Sequence, residues 1–202
     1  MSARSGRSLS VRSGVPPVPP QRCDAEQTRA IVESARELGI PPEYGRSRSL
    51  RLVREPSALA FIGIDIHDRP QWLAPRAARA FLRMREAAAG DSIALDIVSA
   101  FRSADYQLGI VRRKRERGLS IDEILKISAA PGYSEHHSGR AIDLTAPGYA
   151  ALEEEFEKSP SFAWLRRHAR RFGYALSYPR NNRHGIAYEP WHWCWHERPR
   201  AR

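Results

Sequence analysis

The sequence has little cysteine and no long apolar run. Cys23 and Cys194 are the two cysteines among 202 residues, so we expect no disulfide framework and a core stabilised by packing. The longest apolar window, Leu59–Ile66, falls far short of the roughly 20 residues of a membrane-spanning helix. We therefore expect a water-soluble chain without a membrane span.

The N-terminus also lacks the apolar segment of a secretory signal. Its basic start, Met1–Arg4, is not followed by the apolar stretch of about 7–15 residues that export requires. As written, the chain is therefore expected to be cytoplasmic. A different translation start would instead fit the periplasm or cell envelope.

The sequence has an excess of positive charge but no typical nucleic-acid-binding run. The formal net charge is +10, which attracts nucleic acid, anionic lipid or acidic wall polymers without choosing among them. Its densest basic run, Arg112–Arg117, has no interleaved aromatic residues and is predicted to be the solvated face of a helix. We expect no specific nucleic-acid partner, and oligomeric state is not predicted.

The length and the pattern of the chain predict one domain after a short arm. Residues 1–22 are rich in Ser, Arg, Gly and Pro and are predicted to be a disordered basic arm, since they cannot bury enough apolar surface to fold. Residues 23–202 form the predicted domain.

Apolar periodicity and turn residues predict an α+β domain with a small antiparallel sheet. Helices are predicted from the N-cap Asp24 to Gly39, over Pro75–Ala88, from Ser103 to Gly118, over Ile121–Ser128 and, interrupted near Pro160, over Tyr149–Arg171. Strands are predicted over Leu50–Val53, Leu59–Ile66 (buried on both faces), Ile93–Val98, Ala141–Leu144, Ala175–Tyr178 and Ile186–Cys194.

One chemically dense segment, Ser134–Asp143, predicts a metal site. An imidazole, His136, and a carboxylate, Asp143, flank a turn at Gly139, so both side chains can converge on one ion. Neutral imidazole and carboxylate oxygen suit a borderline cation such as zinc. Asp143 could instead cap a turn, which is a common use of aspartate.

A second segment, Glu189–His192, adds a third ligand and a base. The proline between its ends stiffens a bend that can direct Glu189 and His192 into one cavity. Two His and one Asp leave one position of a tetrahedral ion open for water, and Glu189 could accept the proton of that water. An ion pair of Glu189 with an arginine is the structural alternative.

A third segment, Ser99–Ser103, places Arg102 at the exit of a predicted strand. Its guanidinium could hold a tetrahedral oxyanion or the free carboxylate of a substrate, and the sequence does not separate these roles. An arginine that only makes surface contacts remains the alternative.

These motifs resemble the VanY-type D-alanyl-D-alanine carboxypeptidases, whose signatures are Ser-x-His-x-x-Gly-x-Ala-x-Asp and Glu-x-x-His. Phe101-Arg102-Ser103 with Gln107 is similar to the Tyr-Arg-Ser-x-x-x-Gln element of that family, and the resemblance covers about residues 88–196. It implies a central sheet flanked by helices and a peptidase acting on peptidoglycan stem peptides. It implies the following roles: one zinc ion on His136, Asp143 and His192, Glu189 as general base, Arg102 as electrostatic clamp, and Ser134 and Gln107 near the substrate.

The second motif departs from its relatives at Trp193-Cys194-Trp195, where they often continue with Trp-Arg-Tyr, which could alter the substrate pocket. Cys194 and His196 share the strand parity of His192, so a His-x-Cys-x-His metal ladder is conceivable, although a buried Cys is more commonly core filler. We exclude His137, because adjacent side chains on extended backbone point to opposite faces. A non-catalytic module that binds wall polymer or an anionic partner on the same zinc scaffold is the alternative function.

Overall fold

A computed structural model describes residues 17–197, and these form six α-helices and six β-strands in two antiparallel sheets. The helices are α1 (Ala25–Glu37), α2 (Tyr44–Ser47), α3 (Pro75–Gly90), α4 (Ala104–Glu116), α5 (Ile121–Ile127) and α6 (Pro160–His168). The strands are β1 (Ala60–Ile64), β2 (Pro70–Leu73), β3 (Asp96–Ser99), β4 (Ala141–Thr145), β5 (Tyr174–Leu176) and β6 (His192–Trp195). Short 3₁₀ helices occupy Glu135–Ser138, Glu154–Lys158 and Ala169–Phe172. The predicted α+β class with a small antiparallel sheet is confirmed.

The helix starts follow capping chemistry that was visible in the sequence. Asp24 accepts hydrogen bonds from the backbone N–H groups of Glu26 and Gln27, and Asp24 N donates to Gln27 Oε1, which completes a capping box. Ser103 caps α4 by accepting from Tyr106 N. Because these caps are local, the predicted starts of both helices are confirmed.

The main sheet has the strand order β3-β4-β6-β5, and a separate hairpin joins β1 to β2. One apolar core lies between this sheet, the hairpin, α3 and α6, with Phe81, Ile142 and Tyr174 fully buried. A second core joins α1, α4 and α5 around Ala35, Val111 and other buried apolar residues.

Three strand predictions are wrong. Residues 50–53 form no strand, because isolated hydrogen bonds such as Val53 N to Gly132 O replace a ladder. The run Leu59–Ile66 is not buried on both faces, since β1 pairs only with β2 and Ile64 is exposed. The strand predicted over Ile186–Cys194 begins only at His192, because Pro190 lacks an N–H and His192 N turns back to Glu189 O.

The predicted arm 1–22 lies outside the described residues up to position 16, and residues 17–22 have no regular structure. Within the described part of the chain, no helix is long and apolar enough to cross a membrane. Strand β2 was not predicted, because its start at Pro70 is unfavourable for a strand and it pairs only along one edge.

Candidate functional site

The register of the main sheet places an aspartate opposite a histidine. Asp143 of β4 pairs with His192 of β6 on one side and with Ser99 of β3 on the other. Directly opposed side chains on an antiparallel pair lie close enough to interact. His192 Nδ1 accordingly lies 3.0 Å from Asp143 Oδ1.

The turn between α5 and β4 delivers His136 to the same point. Ser134 caps the 3₁₀ helix Glu135–Ser138 by accepting from His136 N, and Gly139 ends it in the left-handed region at φ +64°. A Cβ on Gly139 would lie 2.8 Å from Ala74 N, which already donates to Gly139 O. The glycine is therefore required both for the turn and for this close backbone approach.

The tautomer of His136 follows from its hydrogen bonds. Its Nδ1 lies 2.6 Å from Ala100 O, and because a carbonyl only accepts, Nδ1 must carry the proton. Its Nε2 then presents a lone pair, 3.2 Å from Asp143 Oδ2, and has no hydrogen-bond partner although it is buried. Burial, assisted by the charge of Arg102, lowers the pKa of His136 to about 4, which keeps the ring neutral.

Together these three side chains form a group that can hold a metal ion. One ligand atom from each of His136, Asp143 and His192 lies within 4.8 Å of the others, and all three residues are buried. It is the one such group of His, Cys, Asp and Glu found among residues 17–197. A nitrogen lone pair and a carboxylate at 3.2 Å are both acceptors, so a cation between them would satisfy both.

Glu135, which the sequence analysis missed, contacts the ring nitrogen of His192 that does not face Asp143. Its Oε2 lies 2.9 Å from His192 Nε2, so His192 bridges Glu135 and Asp143. Burial alone would lower the pKa of His192, but hydrogen bonds to these two carboxylates raise it instead. Glu135 lies inside the motif, between Ser134 and His136. On extended backbone its side chain would point away from theirs, and only the 3₁₀ helix brings it to His192.

Glu189 lies beside the group without an arginine partner among the described residues. Its Oε2 is 3.8 Å from His192 Nδ1, and only 8% of the residue is exposed. Burial, together with the negative charges of Asp143 and Glu135, raises the pKa of Glu189 to about 7. A carboxyl group with such a pKa is suited to both accepting and donating a proton near neutral pH.

Arg102 follows β3 and approaches the metal-binding group from the side. Its Nη2 lies 4.0 Å from Asp143 Oδ2, its side chain is 24% exposed, and its buried Nε has no partner. Its backbone N donates to His136 O, and its O accepts from His137 Nδ1. The guanidinium therefore lies next to the ligands with donor capacity that the protein leaves unused.

A cavity of about 400 Å³ opens onto this cluster. Every predicted site residue except Gln107 lines it, namely Arg102, Ser134, His136, Asp143, Glu189 and His192. The other lining residues are Ile110, Lys114, Ile127, Ser128, Ala129, Leu152, Tyr178, Ile186, Ala187 and Trp191. A larger cavity of about 890 Å³ lies between the start of α1 and residues 52–57, away from this cluster.

Gln107 is not among the residues that line the cavity, and its contact with substrate stays a prediction. It is 1% exposed, and its Nε2 donates to Ala129 O, so it supports the backbone beneath the cavity wall. Ser134 does line the cavity, as expected. The difference arises because Gln107 lies on the buried face of α4, which packs against the second core.

His137 and Cys194 are placed outside the metal-binding group. His137 lies in a 3₁₀ helix rather than on extended backbone, and it is occupied by bonds to Arg102 O and from Gly132 N. The reason given for excluding it from sequence was therefore wrong. Cys194 is buried and His196 is exposed, so the described residues form no His-x-Cys-x-His ladder.

Comparisons with known proteins agree with this arrangement. Residues 70–198, more than half of the chain, match the family model of VanY, described as D-alanyl-D-alanine carboxypeptidase. YodJ of Bacillus subtilis, provisionally named a carboxypeptidase, is 32% identical over 68% of this chain, which spans about half of YodJ (53%). The bifunctional D-Ala-D-Ala dipeptidase and carboxypeptidase of Enterococcus gallinarum is 28% identical, with coverage of 73% of this chain and 78% of the enzyme.

The fold supports the same relationship. The solved structure of the LD-carboxypeptidase LdcB superimposes with a TM-score of 0.63 at 28% identity, covering 70% of this chain and 69% of LdcB. The residues matched by the family model include the main sheet and the motifs described above. The chain belongs to the VanY family of D-alanyl-D-alanine carboxypeptidases.

Proposed function

We propose that this chain is a zinc-dependent peptidase that hydrolyses the bond before the C-terminal D-amino acid of a peptidoglycan stem peptide. The single observation that carries the proposal is the buried lone pair of His136 Nε2 facing Asp143 Oδ2 beside His192. Such an arrangement is costly unless a cation lies between the acceptors. It is therefore difficult to explain as a purely structural feature.

The donor set fits zinc. Imidazole nitrogen from His136 and His192 and carboxylate oxygen from Asp143 are typical zinc ligands, and three protein ligands leave one position for water or substrate. Ala100 O fixes the tautomer of His136, while Glu135 can accept the Nε2 proton of His192 and leave its Nδ1 as the ligand atom. Such outer hydrogen bonds commonly orient the histidines of a zinc site.

The residues around the ligands supply the remaining chemistry of peptide hydrolysis. Zinc, when bound, would lower the pKa of water and polarise the peptide carbonyl. Glu189, with its pKa raised to about 7, would take the proton of the attacking water and return it to the amine leaving group. Arg102 would stabilise a negatively charged oxygen of the substrate or of the transition state.

The substrate class follows from relatives that remove or split terminal D-alanine. The enterococcal relative is named for both dipeptidase and carboxypeptidase activity on D-Ala-D-Ala, and LdcB is named an LD-carboxypeptidase. These names support a D-amino acid at the C-terminus and leave the residue before the bond as D or L. The positions of Arg102 and Ser134 on the cavity wall are compatible with either stereochemistry.

A product analysis on defined peptides tests the proposal. Zinc-loaded protein should release D-alanine from muramyl pentapeptide or tetrapeptide, and mass spectrometry should identify the product. Glu189→Gln should lower kcat by about 10³-fold, within the range of 10²–10⁴ for general acid–base catalysis, while zinc binding is kept. An exposed glutamate on α3, Glu86, provides the matched control Glu86→Gln.

Two outcomes would contradict the proposal. One is a purified protein that binds no zinc, and the other is a zinc-loaded protein that releases no D-alanine from any peptide of the panel. If Glu189→Gln also retained full affinity for wall fragments while the wild type showed no turnover, the non-catalytic binding module would replace the enzyme.

A further inference from the structure

Lys114 places a second cation in the active-site cavity. In the basic run Arg112–Arg117, predicted to be solvated, Lys114 is half-buried while the other residues are exposed. It lines the cavity together with Arg102 and Ser134. The prediction is therefore wrong at this one position of the run, because the helix turns Lys114 inward.

Helical spacing on α4 explains this orientation. Gln107, Ile110 and Lys114 are three and four residues apart, so they share one side of the helix. Gln107 lies beneath the cavity wall, and the next two members of this row line the cavity. Lys114 is anchored at the end of α5, where its Nζ donates to Ser128 Oγ at 2.8 Å.

The charge of Lys114 has no carboxylate partner within the described chain. Among residues 17–197, no carboxylate oxygen lies within 4.0 Å of its Nζ. An ammonium group has three N–H donors, and Ser128 accepts one of them. Partial burial, and then the nearby charge of Arg102, lower the pKa of Lys114, while the charge of Glu189 acts in the opposite direction without lying within ion-pair distance.

The two cations of the cavity occupy different positions relative to the metal-binding group. Arg102 Nη2 lies 4.0 Å from Asp143 Oδ2, whereas Lys114 forms no hydrogen bond or ion pair with any of the three ligands among the described contacts. A substrate cleaved next to its C-terminus carries negative charge at two points. One is the terminal carboxylate, and the other is the carbonyl oxygen of the scissile bond, which would become an oxyanion in the transition state.

We propose that Lys114 binds the terminal carboxylate of the substrate and that Arg102 stabilises the oxyanion. This inference rests on the proposed function and deepens it, because a cation dedicated to the terminal carboxylate selects peptides with a free C-terminus. The apolar side chains of Ile110, Ile127 and Ile186 line the same cavity, which suits a small aliphatic C-terminal residue. Peptides with a capped C-terminus, or chains that continue beyond this residue, would leave the ammonium of Lys114 without a carboxylate partner.

Binding to a variant that does not turn over tests this assignment. In zinc-loaded Glu189→Gln protein, calorimetry compares N-acetyl-D-alanyl-D-alanine with its C-terminal amide. The free acid should bind roughly 10- to 100-fold more tightly, as expected for a hydrogen bond to a charged group. Adding Lys114→Met should abolish this preference by weakening the acid alone, and Lys114→Arg should restore most of it.

Lys126→Met is the matched control, because Lys126 is an exposed lysine on neighbouring α5. It removes the same charge from the same part of the surface and should leave the acid preference intact. Thermal melts of Lys114→Met and Lys114→Gln check that the loss of preference is not a loss of folding. A Lys114→Met protein that still prefers the acid overturns the inference. So does a Glu189→Gln protein that binds acid and amide equally or binds neither.

Kinetics separate this inference from the proposed function. In the wild-type background, Lys114→Met should raise KM for free-acid peptides by about the same 10- to 100-fold as the loss of acid binding. It should change kcat less, because the contact between Lys114 and the carboxylate is present in substrate and transition state alike. Release of D-alanine that does not depend on Lys114 overturns only the carboxylate assignment. Lys114-dependent binding of the acid without any turnover overturns only the peptidase.

Discussion

Two buried aspartates, Asp65 at the β1–β2 turn and Asp143 in the main sheet, differ in how their oxygens are satisfied. Asp65 accepts four hydrogen bonds, from His67 N, Arg69 N, Arg69 Nε and Gln71 Nε2, at 2.8–3.0 Å. Asp143 has His192 Nδ1 at 3.0 Å on one oxygen, while its other oxygen faces the lone pair of His136. The hydrogen bonds of the first carboxylate are all made within the chain, whereas one oxygen of the second faces an acceptor atom.

This difference is the one expected between a structural carboxylate and a metal ligand. Burial raises the pKa of a carboxyl group unless hydrogen bonds or positive charges favour its ionised form. At Asp65, donors from the hairpin itself outweigh burial, and the pKa is below the ordinary value. At Asp143, the hydrogen bond and the charge of His192 oppose burial and the pKa is also lowered, but the other oxygen faces a nitrogen of His136 that has no proton to donate.

The two regions are connected by a short chain of hydrogen bonds. Gln71 donates to Asp65 and accepts from Ala100 N at 2.9 Å, and Ala100 O accepts from His136 Nδ1. The hairpin thereby supports the carbonyl that sets the tautomer of the metal ligand. The hydrogen bonds of the hairpin are therefore linked to those of His136 through Gln71 and Ala100.

Replacing Asp143 should have the largest effect on metal binding. Asp143→Asn removes the anionic ligand and should weaken zinc binding by more than about 100-fold, beyond the usual cost of losing an outer-sphere partner. Asp65→Asn should retain zinc within a few-fold. Competition with a fluorescent chelator measures both, and a similar loss of zinc affinity in the two variants would erase the proposed distinction between the carboxylates.

Glu135 tests the outer hydrogen bond of the site. Glu135→Gln keeps the size of the side chain but replaces a charged acceptor of His192 Nε2 by a neutral one. Zinc affinity should fall by about 10- to 100-fold, as for other outer-sphere partners. Zinc titration of the variant beside Glu86→Gln measures this change, and equal affinities for the two would show that Glu135 does not orient His192.

Asp65 should affect stability rather than metal affinity. Asp65→Asn keeps the shape but places an amide against several N–H donors, so the free energy of unfolding should fall by about 1–3 kcal/mol. Asp143→Asn should cost less when both are compared in chelator, because it removes a carboxylate that faces a lone pair. Urea titrations monitored by fluorescence give both values, and a larger loss at Asp143 would reverse the comparison.

The stability contribution of Asp65 should depend on pH with a definite sign. Because its pKa in the folded chain lies below the ordinary value of 3.8, the ionised form stabilises the fold above that value. This contribution is lost as pH falls through the folded pKa. The difference between wild type and Asp65→Asn should therefore be complete at neutral pH and shrink below about pH 4, as urea titrations at several pH values can show.

Local sequence determined much of the helical part of the fold. The cap at Asp24 and the apolar spacing after Asp24 and after Ser103 predicted helices that the structure contains. Strands were predicted less well, because pairing depends on distant partners. The apolar run before Ile66 became one half of an isolated hairpin, and the segment before His192 became a turn.

The sequence by itself predicted the chemistry of the site: two histidines and an aspartate as metal ligands, a glutamate beside them, and an arginine near by. The structure brings these side chains together, and their catalytic roles stay predictions. Residue types and motif spacing carry this information because ligand chemistry belongs to the side chains themselves.

Only the tertiary structure determined how these groups are held and what surrounds them. The register that opposes Asp143 to His192, the Ala100 carbonyl that fixes His136, and the contact of Glu135 with His192 all join residues distant in sequence or altered by a turn. Packing of α4 likewise buried Gln107 and turned Lys114 into the cavity. Such placements depend on long-range packing and hydrogen bonding, which periodicity along a chain does not encode.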